Sequence, residues 1–155
     1  MNAVPAGSVD WCLAAIERLR SESIAHLNAM ADSIAQALTS SGYKADFSLD
    51  SLKEIDRFFD EQARLGKPVR RGLLSEQTGA RLFALGGYVG EVVRRHAGGS
   101  WIGDDAAPLG EINIALQLPG GAVIRPMQRV MGRMKNGRED AIHPYAVVIV
   151  GDSGV

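Results

Sequence analysis

Tyr88, Glu91, Arg94 and Trp101 are the residues whose types and spacing come closest to chemistry. A phenol, a carboxylate, a guanidinium and an indole on one short stretch supply the donors and the acceptor that orient a small ligand or a nucleic acid. Tyr88 and Glu91 stand three residues apart and so share one side of a helix. Farther along, Arg125, Arg129 and Arg133 recur every four residues, a basic stripe extended by Lys135 and Arg138. Such a stripe fits phosphate, but no aromatic residues interleave with it as a stacking platform needs, so an exposed face paired with Glu139 and Asp140 is expected. The candidate binding residues are therefore Tyr88, Glu91, Arg94, Trp101, Arg125 and Arg129. No catalytic residue is assigned.

Other constellations fall short of a site. Asp104 and Asp105 are adjacent acids that point apart, with no oxygen-rich loop spacing around them. His96, near a helix end, reads as a cap or packed ring, and His26 and His143 lack sequence-local liganding partners, so neither a metal nor a cofactor is expected. Lys67-Pro68-Val69-Arg70-Arg71 reads as a solvated basic loop. Gly151-Asp152-Ser153-Gly154 resembles the stretch around the nucleophile of trypsin-like serine proteases, but no second barrel is present to build a cleft and the helix-rich first hundred residues contradict that fold.

Composition narrows the classes further. A chain of 155 residues, 46% hydrophobic, fits one domain with a sizeable core. Seventeen basic and eighteen acidic side chains leave a net charge of -1, so a polyanion would need a local patch and a nucleic-acid partner is not expected. Cys12 is the single cysteine and cannot form an internal disulfide, which favours the cytoplasm. The first residues lack the basic and apolar regions of a signal peptide, and no stretch approaches a membrane span, so no membrane partner is expected.

The elements that must position these residues follow from periodicity. Ile16, Leu19, Ile24, Leu27, Met30, Ile34 and Leu38 mark a long helix, capped at Ser8 or Asp10 and stopped at Gly42. A straight helix over residues 9–41 would reach about 50 Å at 1.5 Å per residue. It either breaks near Ser21-Glu22-Ser23 or projects as a homodimer arm. Ser51-Leu52-Lys53-Glu54 matches a capping box opening a second helix with Leu52, Ile55, Phe58 and Phe59 inward, ended by Gly66 and Pro68. One phenylalanine is expected to face the core and the other a neighbouring element.

A third helix runs from Ser75 to about Ala97, with Leu82, Leu85, Val89, Val92 and Val93 inward and Gly79, Gly86 and Gly90 forming a groove for a neighbouring backbone. After Gly99 the period switches to that of strands. Trp101-Ile102, Ile112 to Leu118 and Ala122 to Arg125 form an antiparallel meander turning at Pro119-Gly120-Gly121. Pro126 opens a fourth helix with Met127, Val130, Met131 and Met134 inward and Asn136-Gly137 at its end. Residues 141–150 stay open between a strand, favoured by Val147 to Val150, and a helix begun at Pro144. The fold class is α+β: N-terminal helices packed on a small antiparallel sheet, with a further helix after the third strand.

Ser51-Leu52 with the Phe58-Phe59 helix, then Leu85-Gly86-Gly87-Tyr88-Val89-Gly90-Glu91-Val92, Gly98-Gly99-Ser100-Trp101, Leu118-Pro119-Gly120-Gly121, Ile124-Arg125-Pro126, and Arg133-Met134-Lys135-Asn136-Gly137 with Glu139-Asp140 together resemble a group of small bacterial domains of unknown function. The resemblance covers residues 47–150, leaving 1–46 as a helical extension of a single domain, and implies no activity or site residue. It implies a helical ending where Val147 to Val150 look strand-like. Two functions are carried forward. One is a non-catalytic protein-protein interaction module, sequestering a partner such as a toxin or effector, or self-associating. The other is a small-ligand or nucleic-acid-binding domain using the junction from Tyr88 to Trp101.

Overall fold

A computed structural model describes residues 27–103 and 114–153. The proposed caps Ser8 and Asp10, the break at Ser21-Glu22-Ser23, Cys12, His26, Ile112, the Asp104-Asp105 pair and Gly154 lie outside those residues. The chain enters in helix α1, Leu27–Ser40, which places Leu27, Met30, Ile34 and Leu38 in the core and stops where Gly42 turns to a φ of 96°. Over this stretch it is a core helix of its own domain.

Helix α2, Leu52–Gln62, follows a single 3-10 turn, Leu49–Ser51. The capping box does not form. Ser51 is already helical at φ -63°, and its hydroxyl is spent on the Ser48 carbonyl, while Ser48 caps the 3-10 turn by accepting from the Ser51 amide at 3.1 Å. Glu54 turns away to accept from the Lys44 amide and from Arg57. Both phenylalanines are buried, edge to face with centroids 5.5 Å apart; Phe58 meets Tyr43 at 5.2 Å. The helix ends at Gln62, earlier than Gly66 and Pro68 suggest. Ala63–Arg64 (β1) and Lys67–Pro68 (β2) pair as an antiparallel hairpin that the sequence reading assigns to helix end and loop.

Helix α3, Thr78–Ala97, is the axis of the domain, packed by α1 and by two later helices. It begins after Gln77, held at φ 55°, rather than at Ser75. Leu82, Leu85, Val89, Val92 and Val93 are buried as expected. Its glycines admit neighbours. A Cβ on Gly86 would lie 2.6 Å from the Met127 Cα, and one on Gly90 would enter the Trp101 ring and lie 3.0 Å from Pro126. Gly79 faces open space instead.

Strands β3 (Ser100–Ile102), β4 (Ala115–Gln117) and β5 (Val123–Ile124) form an antiparallel sheet in that order, with Trp101 opposite Leu116 and Leu116 opposite Ile124. The turn at Pro119–Gly121 closes with Leu118 N–H donating to the Ala122 carbonyl at 2.7 Å. Helix α4, Pro126–Asn136, starts on the expected proline and buries Met127 and Val130. Two residues swap faces: Met131 is 42% exposed, whereas Arg133, expected on the outer stripe, is buried.

A 3-10 turn, Gly137–Asp140, leads to helix α5, Ile142–Ser153, which resolves the ambiguity of residues 141–150 in favour of a helix. Its first amides at Ile142 and His143 donate to the two Asp56 carboxylate oxygens at 2.8 and 2.9 Å, a cap supplied from α2. Among the described residues the architecture is α+β, with five helices, two small antiparallel sheets, and a helix after the third strand of the larger sheet.

Candidate functional site

The junction between α3 and β3 gathers Glu91, Arg94 and Trp101, while Tyr88 turns to Phe47 and Ser51. Glu91 is completely buried. Its carboxylate receives Arg94 through Nε at 2.6 Å and Nη2 at 2.9 Å, Arg95 Nε at 3.3 Å and the Trp101 indole N–H at 2.7 Å. A carboxylate offers about four acceptor positions, and these donors use them all. Burial alone pushes the Glu91 carboxyl up, but the hydrogen bonds of Arg94 and Trp101 outweigh it and hold the group below its ordinary range. Glu91 thus stays ionised and saturated, unsuited to accept a further proton.

Tyr88 is equally enclosed. Its hydroxyl accepts from the Phe47 amide at 3.0 Å and lies 2.6 Å from Ser51 Oγ. Because the Ser51 hydroxyl hydrogen goes to the Ser48 carbonyl, Tyr88 must donate to Ser51. Burial raises the phenol, in keeping with a donor that keeps its hydrogen. Phe47 itself, at a φ of 63°, is held from three sides by α3. Tyr88 takes its amide, Arg95 stacks on its ring at 3.7 Å, and His96 Nε2 lies 3.2 Å from its carbonyl oxygen. Arg95, which also reaches Asp32 of α1 at 3.6 Å, links the two clusters into one network.

Of the second group, Arg125 and Arg129 lie together at the start of α4, beside β5. With Gln128, Asp140 and Tyr145 they line a shallow open depression. Arg129 stacks on the Tyr145 ring at 4.2 Å and donates to the Ala141 carbonyl at 3.4 Å, yet its shielded Nε has no partner. Arg125 is exposed. The expected pairing of the stripe with Glu139 and Asp140 does not occur. Arg133 instead binds Asp56 at 2.9 Å and Asp60 at 2.8 Å, and Arg138 binds Asp60 at 2.8 Å. Sequence reasoning missed both aspartates, whose only local mark is their spacing of four on α2. Asp60 is held low by Arg138 and Arg133.

Among the described residues no group of histidine, cysteine or carboxylate side chains is arranged to hold a metal ion, and no helix is long and apolar enough to cross a membrane. No family model, curated protein or solved structure matches this chain.

Proposed function

We propose that this chain is a protein-protein interaction module whose contact element is α5, serving to hold a partner such as a toxin or effector, or a second copy of itself. The observation that carries this reading is an imbalance in α5. Ile142, Tyr145, Ala146, Val147, Val148, Ile149 and Val150 make it apolar all round, a character that belongs to a helix covered on every side. Yet only Ile142 and Ala146 are buried, while Val147 is 40% and Val148 61% exposed. The saturated Glu91 and Tyr88 support the same reading, since their polar atoms are committed inside the fold.

The test compares the full chain with Val147→Asp/Val148→Asp. Affinity capture from the native host, with sedimentation equilibrium alongside, is expected to yield a reproducible partner or a self-associated species that the double variant loses at an unchanged thermal midpoint. A monomer with no reproducible partner overturns the proposal. The alternative, an anionic small ligand in the depression at Arg125 and Arg129, draws support from the free Nε of Arg129. Saturable binding of inorganic phosphate, lost in Arg129→Gln, would favour it.

A further inference from the structure

The hairpin β1–β2 holds a residue that folding alone does not select. Its register sets Arg64 opposite Lys67, leaving Leu65-Gly66 as a two-residue turn with φ of 55° and 79°. Positive φ at both positions is the type I′ turn, whose first place suits asparagine, aspartate or glycine. Gly66 has a local reason: a Cβ there would lie 3.0 Å from the Lys135 carbonyl, because the hairpin rests against the end of α4. Leu65 has none. It bears the crowding of a left-handed residue and is 95% exposed, so no burial offsets the strain.

Charge surrounds this leucine on the chain. Arg64, Lys67, Arg70 and Arg71 are all exposed, and none of these side chains has an ion-pair or hydrogen-bond partner among the described residues. No acidic residue occurs between Glu61 and Glu76, and Glu61 is engaged with Arg57. The Val69 amide donates to the Gln62 carbonyl at 2.8 Å, continuing the hairpin pairing so that Arg70 and Arg71 follow at its base. A net charge near zero thus conceals a local cationic patch with one apolar point.

We propose that this hairpin is a peripheral contact for an anionic lipid surface, with Leu65 entering the headgroup boundary while the surrounding cations meet the headgroups. Each strand has two residues, too little to supply the roughly 800 Å² that one side of a stable protein interface buries. A lipid surface demands no complementary shape and rewards residues singly, an apolar tip by burial and each cation by the surface potential. A nucleic acid would reward the cations and leave the leucine in water. Surface attachment needs no spanning helix, and it stands independently of the role proposed for α5.

The experiment is co-sedimentation of the full chain with phosphatidylcholine vesicles, with and without phosphatidylglycerol, at low and physiological salt. Binding is expected only with phosphatidylglycerol, weakening as salt rises. Leu65→Asn should lower the affinity about tenfold, the scale of one lost apolar side chain. The same substitution should raise the thermal midpoint, because asparagine accepts the left-handed conformation. Opposite signs separate lost contact from lost fold. Leu65→Phe should keep binding, and Arg70→Glu/Arg71→Glu should abolish it. Equal binding to neutral vesicles, or binding indifferent to Leu65→Asn, overturns the proposal, as does retention on duplex DNA matching that on anionic vesicles.

Discussion

Glu91 and Arg94 form a pair whose two members differ in access to water, and that difference fixes what each substitution costs. Glu91 is wholly buried, while the Arg94 side chain is 32% exposed. Removing the carboxylate frees arginines that can rehydrate, so Glu91→Gln should cost about 1–3 kcal/mol; Arg94→Leu leaves a buried charge short of donors and should cost more, about 2–4 kcal/mol. Denaturant midpoints of the two variants check the order. Since the folded Glu91 carboxyl lies below its unfolded value, its stabilisation is complete above the unfolded range and lost as pH falls through the folded one. Asp60, through Arg138 and Arg133, and Glu54, through Arg57, are held low as well. Glu91→Gln should therefore shallow the loss of stability below about pH 4 without abolishing it, read as thermal midpoint against pH. At this scale the spacing pointed to Glu91, Arg94 and Trp101, which meet, and to Tyr88, which joins Phe47 and Ser51 instead. It was silent on burial, because spacing shows which residues share a side and not what covers that side. Arg133 escaped for a related reason: its partners lie 77 and 73 positions away.

At the scale of elements, the glycines of α3 give an internal comparison. Alanine is the better helix former by about 1 kcal/mol, so Gly79→Ala, facing open space, should stabilise by about 0.4–1 kcal/mol. Gly86→Ala meets the backbone of Met127 and should destabilise by about 1–3 kcal/mol, as should Gly90→Leu against Trp101 and Pro126. Chemical denaturation with a common slope reads all three, and an unchanged midpoint for Gly86→Ala would reject close packing. The groove itself was legible, since glycine inside a helical pattern has few other uses. The hairpin was not, because Leu65 occupies the place where asparagine would have announced a turn. Helix α5 was hidden differently. Its β-branched run favours a strand, but a cap from Asp56 and burial of Ile142 and Ala146 outweigh local propensity.

Across the whole molecule, one core joins α1 through α5, with Leu38, Phe58, Tyr88, Leu116, Val130 and Ile142 in the same buried cluster. The α+β class was readable from the change of period after Gly99, where β3, β4 and β5 follow the helices before the sequence returns to helix at Pro126. Asp56 ties this core together. It caps α5 while receiving Arg133 of α4 at 2.9 Å, from its own place on α2. A chain truncated after Ala141 should therefore lose its cooperative thermal transition rather than keep a smaller one, as followed by far-ultraviolet circular dichroism; a retained sharp transition would show α5 to be an accessory.

The position of Asp56 also sets a schedule for the chain as it is made. Its amide partners arrive 86 and 87 residues later, after α3, the three-stranded sheet and α4 have been synthesised. Until then Asp56 has only Arg133 of α4 to meet it, and before α4 is made it lacks that partner too. Closure between such distant partners is slow compared with helix formation. Chains released between the synthesis of α2 and that of α5 should accordingly aggregate more readily than the full chain, read as turbidity.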